Sequence, residues 1–306
     1  MKRLLTAVVA ATALLIGGCA DTSEEPTVTA PSAGASYPVT VGTVTLDARP
    51  EKIVSLSATA TEMLFAIGAG PQVTAVDDQS SFPADAPKTD LSGFKPNAEA
   101  IAAKDPDLVV VSNDIDNIVA QLGKLTIPVL LAPAAKTLDD TYAQIGDLGT
   151  LTGHRTEAEK VNADMAAKID GIVASVPARA KPLSYFYELG PELYSATSKT
   201  FAGSVFNLFK MTNVADAADP DGALGGYPQV TQEALVKANP DTVFLADSKC
   251  CQQSAETVKA RSGWSGVTAV QKTQIYPLDD DIASRWGPRT VDLVQAVADA
   301  VKKVPA

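Results

Sequence analysis

The stretch at residues 97–111, NAEAIAAKDPDLVVV, has a second copy at residues 231–245, TQEALVKANPDTVFL, and any fold for this chain must house both. In each copy an acid near the start (Glu99, Glu233) precedes an apolar helical face, a Pro-Asp pair (Pro106-Asp107, Pro240-Asp241) and a short apolar run. Asn97 and Thr231 carry side-chain oxygens that can cap a helix. Proline disfavours the helical conformation in the residue before it, so each helix must stop there. Residues 108–111 and 243–245 have the length and content of buried strands. Each copy therefore spells helix, stop, strand. The copies are spaced far beyond the ~20–50 residues of a solenoid repeat, which implies two similar α/β halves with the two glutamates at equivalent corners.

The chain has 306 residues, 46% of them hydrophobic, enough for two cores of ordinary domain size. It carries 36 acidic against 25 basic residues, a formal charge of −11, with no Lys/Arg cluster beyond Lys2-Arg3. That excludes a nucleic-acid footprint. Lys2-Arg3, the apolar run 4–16 and Gly17-Gly18 before Cys19 form an export signal, too short for the ~20 residues of a membrane span. Leu15-Ile16-Gly17-Gly18-Cys19 resembles the bacterial lipobox, in which the cysteine is lipidated and becomes the first mature residue. The alternative is an ordinary signal cut elsewhere. The resemblance implies a signal peptide at 1–18 and an anchor at Cys19 on the outer face of the cell membrane, because two or more acyl chains hold stably where one is marginal. Removing Lys2 and Arg3 takes the charge from −11 to about −13. The division expected is a lipidated Cys19 and flexible tether over 19–49, with the folded body beginning near Val39, a first lobe at 50–153, a bridging helix at 154–177 and a second lobe at 178–306. Residues 20–38, rich in Ala, Thr, Ser and Pro, have too little apolar surface to fold.

Within the first lobe, strands at 52–57, 73–76, 108–111 and 128–131 alternate with helices, which argues for a largely parallel sheet. The polar run Asp77-Asp78-Gln79-Ser80-Ser81 follows a strand, where open α/β sheets place ligands. From 156 to 176 the apolar positions Ala158, Val161, Met165, Ile169, Ile172 and Val176 fall three or four apart behind a Thr156-x-x-Glu159 capping box. This predicts one uninterrupted helix between the lobes; an ordinary surface helix fits the spacing equally. The second lobe repeats the pattern, with strands expected at 183–187, 193–196, 243–245 and 275–277 and a last helix at 290–303. Between the last strand and helix lies a charged segment ending in Arg285-Trp286-Gly287-Pro288-Arg289. Cys250 and Cys251, in an oxidising compartment with Cys19 occupied, have only each other. A disulfide between neighbours needs a distorted peptide link, because its usual Cα separation of ~4.4–6.8 Å exceeds the ~3.8 Å between adjacent residues. Soft-metal capture by the two thiols is the competing reading.

Lys52-Ile53-Val54-Ser55-Leu56-Ser57 with Thr61-Glu62, Gly93-Phe94-Lys95-Pro96-Asn97 with Glu99, Pro106-Asp107, Tyr227-Pro228-Gln229-Val230 with Glu233, and Pro240-Asp241 together resemble the Fe/B12 periplasmic-binding family, over residue 50 to the C-terminus. These are substrate-binding proteins of ATP-driven importers for ferric siderophores, haem and cobalamin. The resemblance implies the class III fold: two α/β lobes with mostly parallel sheets, joined by one long helix, with the ligand between them. It implies that Glu99 and Glu233 dock on arginines of an ABC permease dimer served by an ATPase, that the protein works as a monomer, and that it needs no cofactor of its own. An acid in a helix's first turn is also favoured by the helix dipole alone. Family position carries Gln79, Ser80, Asn113, Tyr227, Asp281, Arg285 and Trp286 into the ligand wall. There Arg285 could pair with an acidic ligand group and Trp286 stack on a flat face, or Arg285 could pair with the neighbouring aspartates and Trp286 lie in the core. Trp264 looks like a structural position. Gln79 stands where cobalamin binders carry an aromatic and Tyr227 where they carry a tryptophan, so the expectation is a ferric siderophore-type chelate, with cobalamin as the alternative and haem, for which Tyr227 would have to be the axial ligand, behind both.

Other classes fit less well. A bare-metal receptor usually wants several histidines, and the chain has one, His154, read as an exposed turn residue. A hydrolase would have to recruit that same residue, and no Gly-x-Ser-x-Gly elbow occurs. No enzyme is expected.

Overall fold

The computed structural model describes residues 36–305, which lie within one compact unit. The export signal, Cys19 and the tether up to residue 35 lie outside the described residues. The chain enters as an antiparallel hairpin of β1 (Val39–Val41) and β2 (Val44–Leu46). Val44 and Leu46 are buried in the core beneath α4 (Leu138–Thr152), so this part of the 19–49 segment is folded against the first lobe.

The first sheet contains β3 (Ile53–Leu56), β4 (Val73–Val76), β5 (Leu108–Val111) and β6 (Val129–Leu131), paired in parallel in the order β4-β3-β5-β6. α1 (Ala58–Ala66), α2 (Ala98–Ala102), α3 (Ile118–Lys124) and α4 cover it. The second sheet contains β7 (Ser184–Glu188), β8 (Thr212–Asn213), β9 (Thr242–Leu245) and β10 (Ile275–Pro277), parallel in the order β8-β7-β9-β10. Its helices are α6 (Phe201–Asn207), α7 (Gln232–Ala238), α8 (Ala255–Lys259), α9 (Thr268–Gln271), α10 (Asp280–Ala283) and α11 (Thr290–Lys303). Counted within each lobe, both sheets run second, first, third, fourth strand. The sequence repeat falls on the helix and third strand of each.

The repeat has the same physical role in both places. The Asn97 and Thr231 side chains accept the amides of Ala100 and Ala234, capping α2 and α7. The residue before each proline, Asp105 at φ 51° and Asn239 at φ 49°, is left-handed, a conformation that Asp and Asn adopt more readily than most residues. Each Pro-Asp carboxylate then ties the third strand to the first. Asp107 Oδ2 accepts the amides of Glu51 and Lys52 at 2.8 and 2.9 Å, and Asp241 Oδ2 accepts that of Ser184 at 2.9 Å.

Side chains alternate across both sheets: Leu108 and Val110 face one core while Val109 and Val111 face the other, and Phe244 points away from Val243 and Leu245. With apolar layers on both faces the strands read as continuous hydrophobic runs, as parallel strands must. Between the sheets in sequence runs α5 (Arg155–Ala174), about 30 Å long at ~1.5 Å per residue. It contributes Ala158 and Met165 to a core of the first lobe and Ile169 to one of the second. α5 begins at Arg155 behind His154, which makes no side-chain cap bond, so Thr156 lies inside the first turn and the expected Thr156/Glu159 capping box does not form. His154 is half-buried rather than exposed, with Nε2 2.7 Å from Arg49 Nη2 and 3.0 Å from Gln72 Oε1. Burial, then the Arg49 charge, lowers its pKa. Residues 193–196 are not a sheet strand; only isolated bridges at Tyr194 and Ser195 form there, and the second strand of that sheet in chain order is the two-residue β8.

Candidate functional site

The carboxyl ends of β3, β4 and β5 face the α10 to α11 segment of the second lobe across a cleft of about 230 Å³. Ser57, Asp77, Gln79, Phe94 and Asn113 line the first-lobe side, and Asp281, Arg285 and Trp286 the other. Five of the seven residues expected in the ligand wall are thus together. Ser80 and Tyr227 do not line this cleft. Ser80 is buried, hydrogen-bonded to Asp77 Oδ1 at 2.6 Å and Thr61 Oγ1 at 2.8 Å, and it positions Asp77 instead. Tyr227 is half exposed, on a segment near Tyr187, whose hydroxyl donates to the Ala283 carbonyl of α10 at 3.0 Å. Another cavity, about 260 Å³ and more apolar, lies by Val173, Leu183 and Met211, before the amino end of β7. Parallel α/β sheets bind ligands at the opposite, carboxyl end, so the cleft between the lobes is the candidate site.

Arg285 is buried, and both terminal nitrogens of its guanidinium are engaged. Nη1 donates to Glu62 Oε1 of α1 at 2.6 Å; Nη2 donates to the Gln79 carbonyl at 2.9 Å and more weakly to Ser81 Oγ at 3.3 Å and Asp281 Oδ1 at 3.4 Å. Arg289 adds bonds to the same carboxylate, Nε to Oε2 at 2.9 Å and Nη2 to Oε1 at 2.5 Å, and lies over the Phe82 ring at 4.4 Å. Glu62 sits within a helix turn of apolar Met63 and Leu64 and is 3% exposed, and two guanidinium groups from the other lobe meet its carboxyl oxygens there. Trp286 packs on cores of both lobes, donates its indole N–H to Gln144 Oε1 at 2.9 Å and receives the Thr141 hydroxyl on its carbonyl at 2.9 Å. Both side chains are lobe-to-lobe fastenings as well as cleft wall.

Asp77 is the acid that sequence patterning did not single out. Burial raises its carboxyl above the ordinary range, and the Ser80 hydroxyl partly offsets this. Gly93 permits the close approach of the Phe94 segment: a Cβ there would lie 2.7 Å from the Leu56 carbonyl oxygen and 2.8 Å from Asp77 Oδ2. Phe94, 66% exposed, is the cleft's projecting aromatic. Asp77 and Phe94 lie inside stretches already marked in the sequence, the polar run 77–81 and the Gly93–Asn97 segment, yet nothing in their spacing singles either out as a cleft side chain. Among the described residues no group of three or more His, Cys, Asp or Glu side chains converges to hold a metal ion. Trp264 is fully buried beneath Arg261, 4.8 Å from ring centroid to guanidinium.

Glu99 and Glu233 are exposed in the first turns of α2 and α7, at equivalent places of the two lobes. Cys250 and Cys251 are both exposed free thiols on the loop after β9.

The periplasmic binding protein family model matches residues 53–282. An uncharacterized ABC transporter substrate-binding lipoprotein, YvrC, of Bacillus subtilis (strain 168) is 29% identical over 304 residues, covering 94% of this chain and 93% of that protein. A cobalamin-binding protein of Halobacterium salinarum (strain ATCC 29341 / DSM 671 / R1) is 29% identical over 279 residues, covering 87% of this chain and 74% of that protein. Among solved structures, a possible iron-binding (periplasmic solute-binding) protein from Staphylococcus epidermidis superposes with a TM-score of 0.72 at 26% identity, over 84% of this chain and 100% of that one. Matched over three-quarters of its length, with two topologically equivalent lobes and a cleft at their strands' carboxyl ends, the chain belongs to the periplasmic binding protein family and is a substrate-binding protein of an ABC transporter, not an enzyme.

Proposed function

We propose that this protein captures an uncharged metal chelate, a corrinoid of the cobalamin class, in the cleft between its lobes and hands it to an ABC permease. The observation that carries the reading is Arg285. Among the described residues it is the one basic side chain lining the cleft, and Glu62, Asp281 and the Gln79 carbonyl already engage both of its terminal nitrogens. A multiply anionic ferric catecholate or citrate would meet Asp77 and Asp281 without a free cation to offset them, at the cost of like-charge juxtaposition. The carboxylates of haem face the same shortage. An electroneutral corrinoid does not, and the relative from Halobacterium salinarum is named as cobalamin-binding. A ferric hydroxamate siderophore, also low in charge, is the second reading: Gln79 stands at the cleft in place of an aromatic, and the similar Staphylococcus epidermidis protein is described as possibly iron-binding.

Glu99 and Glu233 supply the docking contacts. Exposed ion pairs are worth only ~0–1 kcal/mol, so they orient the complex more than they hold it. The protein acts as a monomer, anchored through lipid on Cys19 at the outer face of the membrane, as the name of the YvrC relative supports.

The test is quenching of tryptophan fluorescence by cobalamin, a ferric hydroxamate, a ferric catecholate, ferric citrate and haem. Saturable quenching by cobalamin alone supports the main reading, and by the hydroxamate alone the second. Tight binding of catecholate or citrate refutes the charge argument. In reconstituted transport, Glu99→Arg with Glu233→Arg is expected to reduce uptake at least tenfold with ligand affinity unchanged; unimpaired uptake sinks the docking assignment.

A further inference from the structure

The loop bearing Cys250 and Cys251 is fastened to the cleft wall. Its consecutive amides converge on one carboxylate: Ser248 N–H donates to Asp280 Oδ1, and Lys249 N–H and Cys250 N–H to Asp280 Oδ2, each at 2.9 Å. The Ser248 hydroxyl adds a bond to Oδ1 at 2.8 Å. Lys249 Nζ spans Asp279 at 2.8 Å and Asp281 at 3.0 Å. Asp280 opens α10, the single-turn helix that carries Asp281 and leads to Arg285. From below, the Asp247 carbonyl accepts the amides of Cys251 and Gln253 at 3.2 and 3.3 Å. Both thiols are exposed and free, on adjacent residues of this fastened loop.

We propose that Cys250 and Cys251 form a redox-modification site whose oxidation to a disulfide between adjacent residues loosens α10 and with it the ligand-facing wall at Asp281 and Arg285. The inference rests on the extracytoplasmic reading, which puts the loop among disulfide oxidants. One cysteine sulfur attacks an incoming disulfide and expels a thiol of the oxidant. The second cysteine then attacks the mixed disulfide and expels the other. Two electrons pass to the oxidant, whose sulfurs take up the two protons, and the S–S bond closes within the loop. Adjacent Cα atoms across an ordinary peptide lie ~3.8 Å apart, inside the ~4.4–6.8 Å usual for a disulfide, so the 250–251 peptide has to rearrange. That peptide carries the Cys251 N–H held by the Asp247 carbonyl, and the neighbouring amide is the Cys250 N–H held by Asp280. Oxidation therefore pulls on the contacts that fix the first turn of α10. A cysteine pair on a loop without these bonds would oxidise with no effect on the cleft.

The experiment uses the full chain with Cys19→Ser, so that only the loop thiols remain, treated with excess oxidised glutathione. Intact mass is expected to fall by about 2 Da with no glutathione retained. Amide exchange across 279–286 is expected to quicken at least about threefold, the worth of a single net hydrogen bond. Cys250→Ser should instead retain one glutathione on Cys251 and keep the slower exchange. Persistent free thiols or stable glutathione adducts on the parent overturn the site. A clean disulfide with unchanged exchange overturns the coupling to the cleft. Both readouts stand without ligand, so failure of the corrinoid assignment leaves them decisive; cobalamin titration of the two forms adds the functional consequence, a weaker affinity when oxidised.

Discussion

Substituting Glu62 by glutamine should loosen the junction between the lobes more than any other single exchange on it. The carboxylate accepts Arg285 Nη1 at 2.6 Å and Arg289 Nε and Nη2 at 2.9 and 2.5 Å. Glutamine keeps the shape but turns one acceptor into an NH2 group facing a guanidinium, and leaves Arg285 with only its long contact to Asp281 for a counter-charge. Breaking a buried ion pair by removing one partner costs ~3–5 kcal/mol. Arg285 and Arg289 side chains are 9% and 20% exposed, so water can relieve part of this and the low end applies, about 3 kcal/mol. For a domain of this size that is a fall in Tm of roughly 6–12 °C. The assay is urea unfolding of wild type and Glu62→Gln, with the same pair titrated against cobalamin and ferric citrate. The variant should also gain affinity for citrate relative to cobalamin, because Arg285 is released to an acidic ligand. A stability loss under about 1 kcal/mol would refute the reasoning, since it would put Glu62 among exposed pairs of little net worth.

Asp247 makes stability depend on pH. It is fully buried, its oxygens lack hydrogen-bond partners, and burial first, then the Glu188 charge, holds its carboxyl up at about 7. An unfolded aspartate titrates near ~3.9, so the native state binds the extra proton between about pH 4 and 7, and this group's contribution to stability falls as pH rises through that window. Asp247→Asn keeps the shape without the charge: its urea midpoint should exceed wild type by far more at pH 8 than at pH 5, and an equal gain at both would count against the titration. Gly93→Ala should cost about 1–3 kcal/mol through overpacking and weaken ligand binding, since its new methyl meets the Leu56 carbonyl oxygen and Asp77; a variant melting and binding like wild type would show the segment has room.

Elements with a strong period or a capping residue were legible from sequence. The helix at Thr290–Lys303 and the strand at Ile275–Pro277 appear with the expected bounds, because amphipathic spacing and turn residues on both sides define them locally. β8 was missed, being two residues without a pattern of its own that exist as strand only because β7 offers its edge. The expected strand at 193–196 has strand-forming residues but pairs only through isolated bridges, so local propensity was overridden by tertiary position. Among site residues, Arg285, Trp286, Gln79, Asn113 and Asp281 were reachable through a family likeness, whereas Ser80 turned inward to Asp77.

The repeat, and with it the two equivalent α/β halves, follows from local rules, since N-caps, proline stops and apolar runs act within a few residues of one another. What the charged groups do is set by contacts between distant parts of the chain. Glu62 and Arg285 stand 223 positions apart, and no local rule couples them; their ion pair exists because two separately specified lobes meet at the carboxyl ends of their sheets. That meeting turns an apparent ligand-binding guanidinium into an inter-lobe fastening.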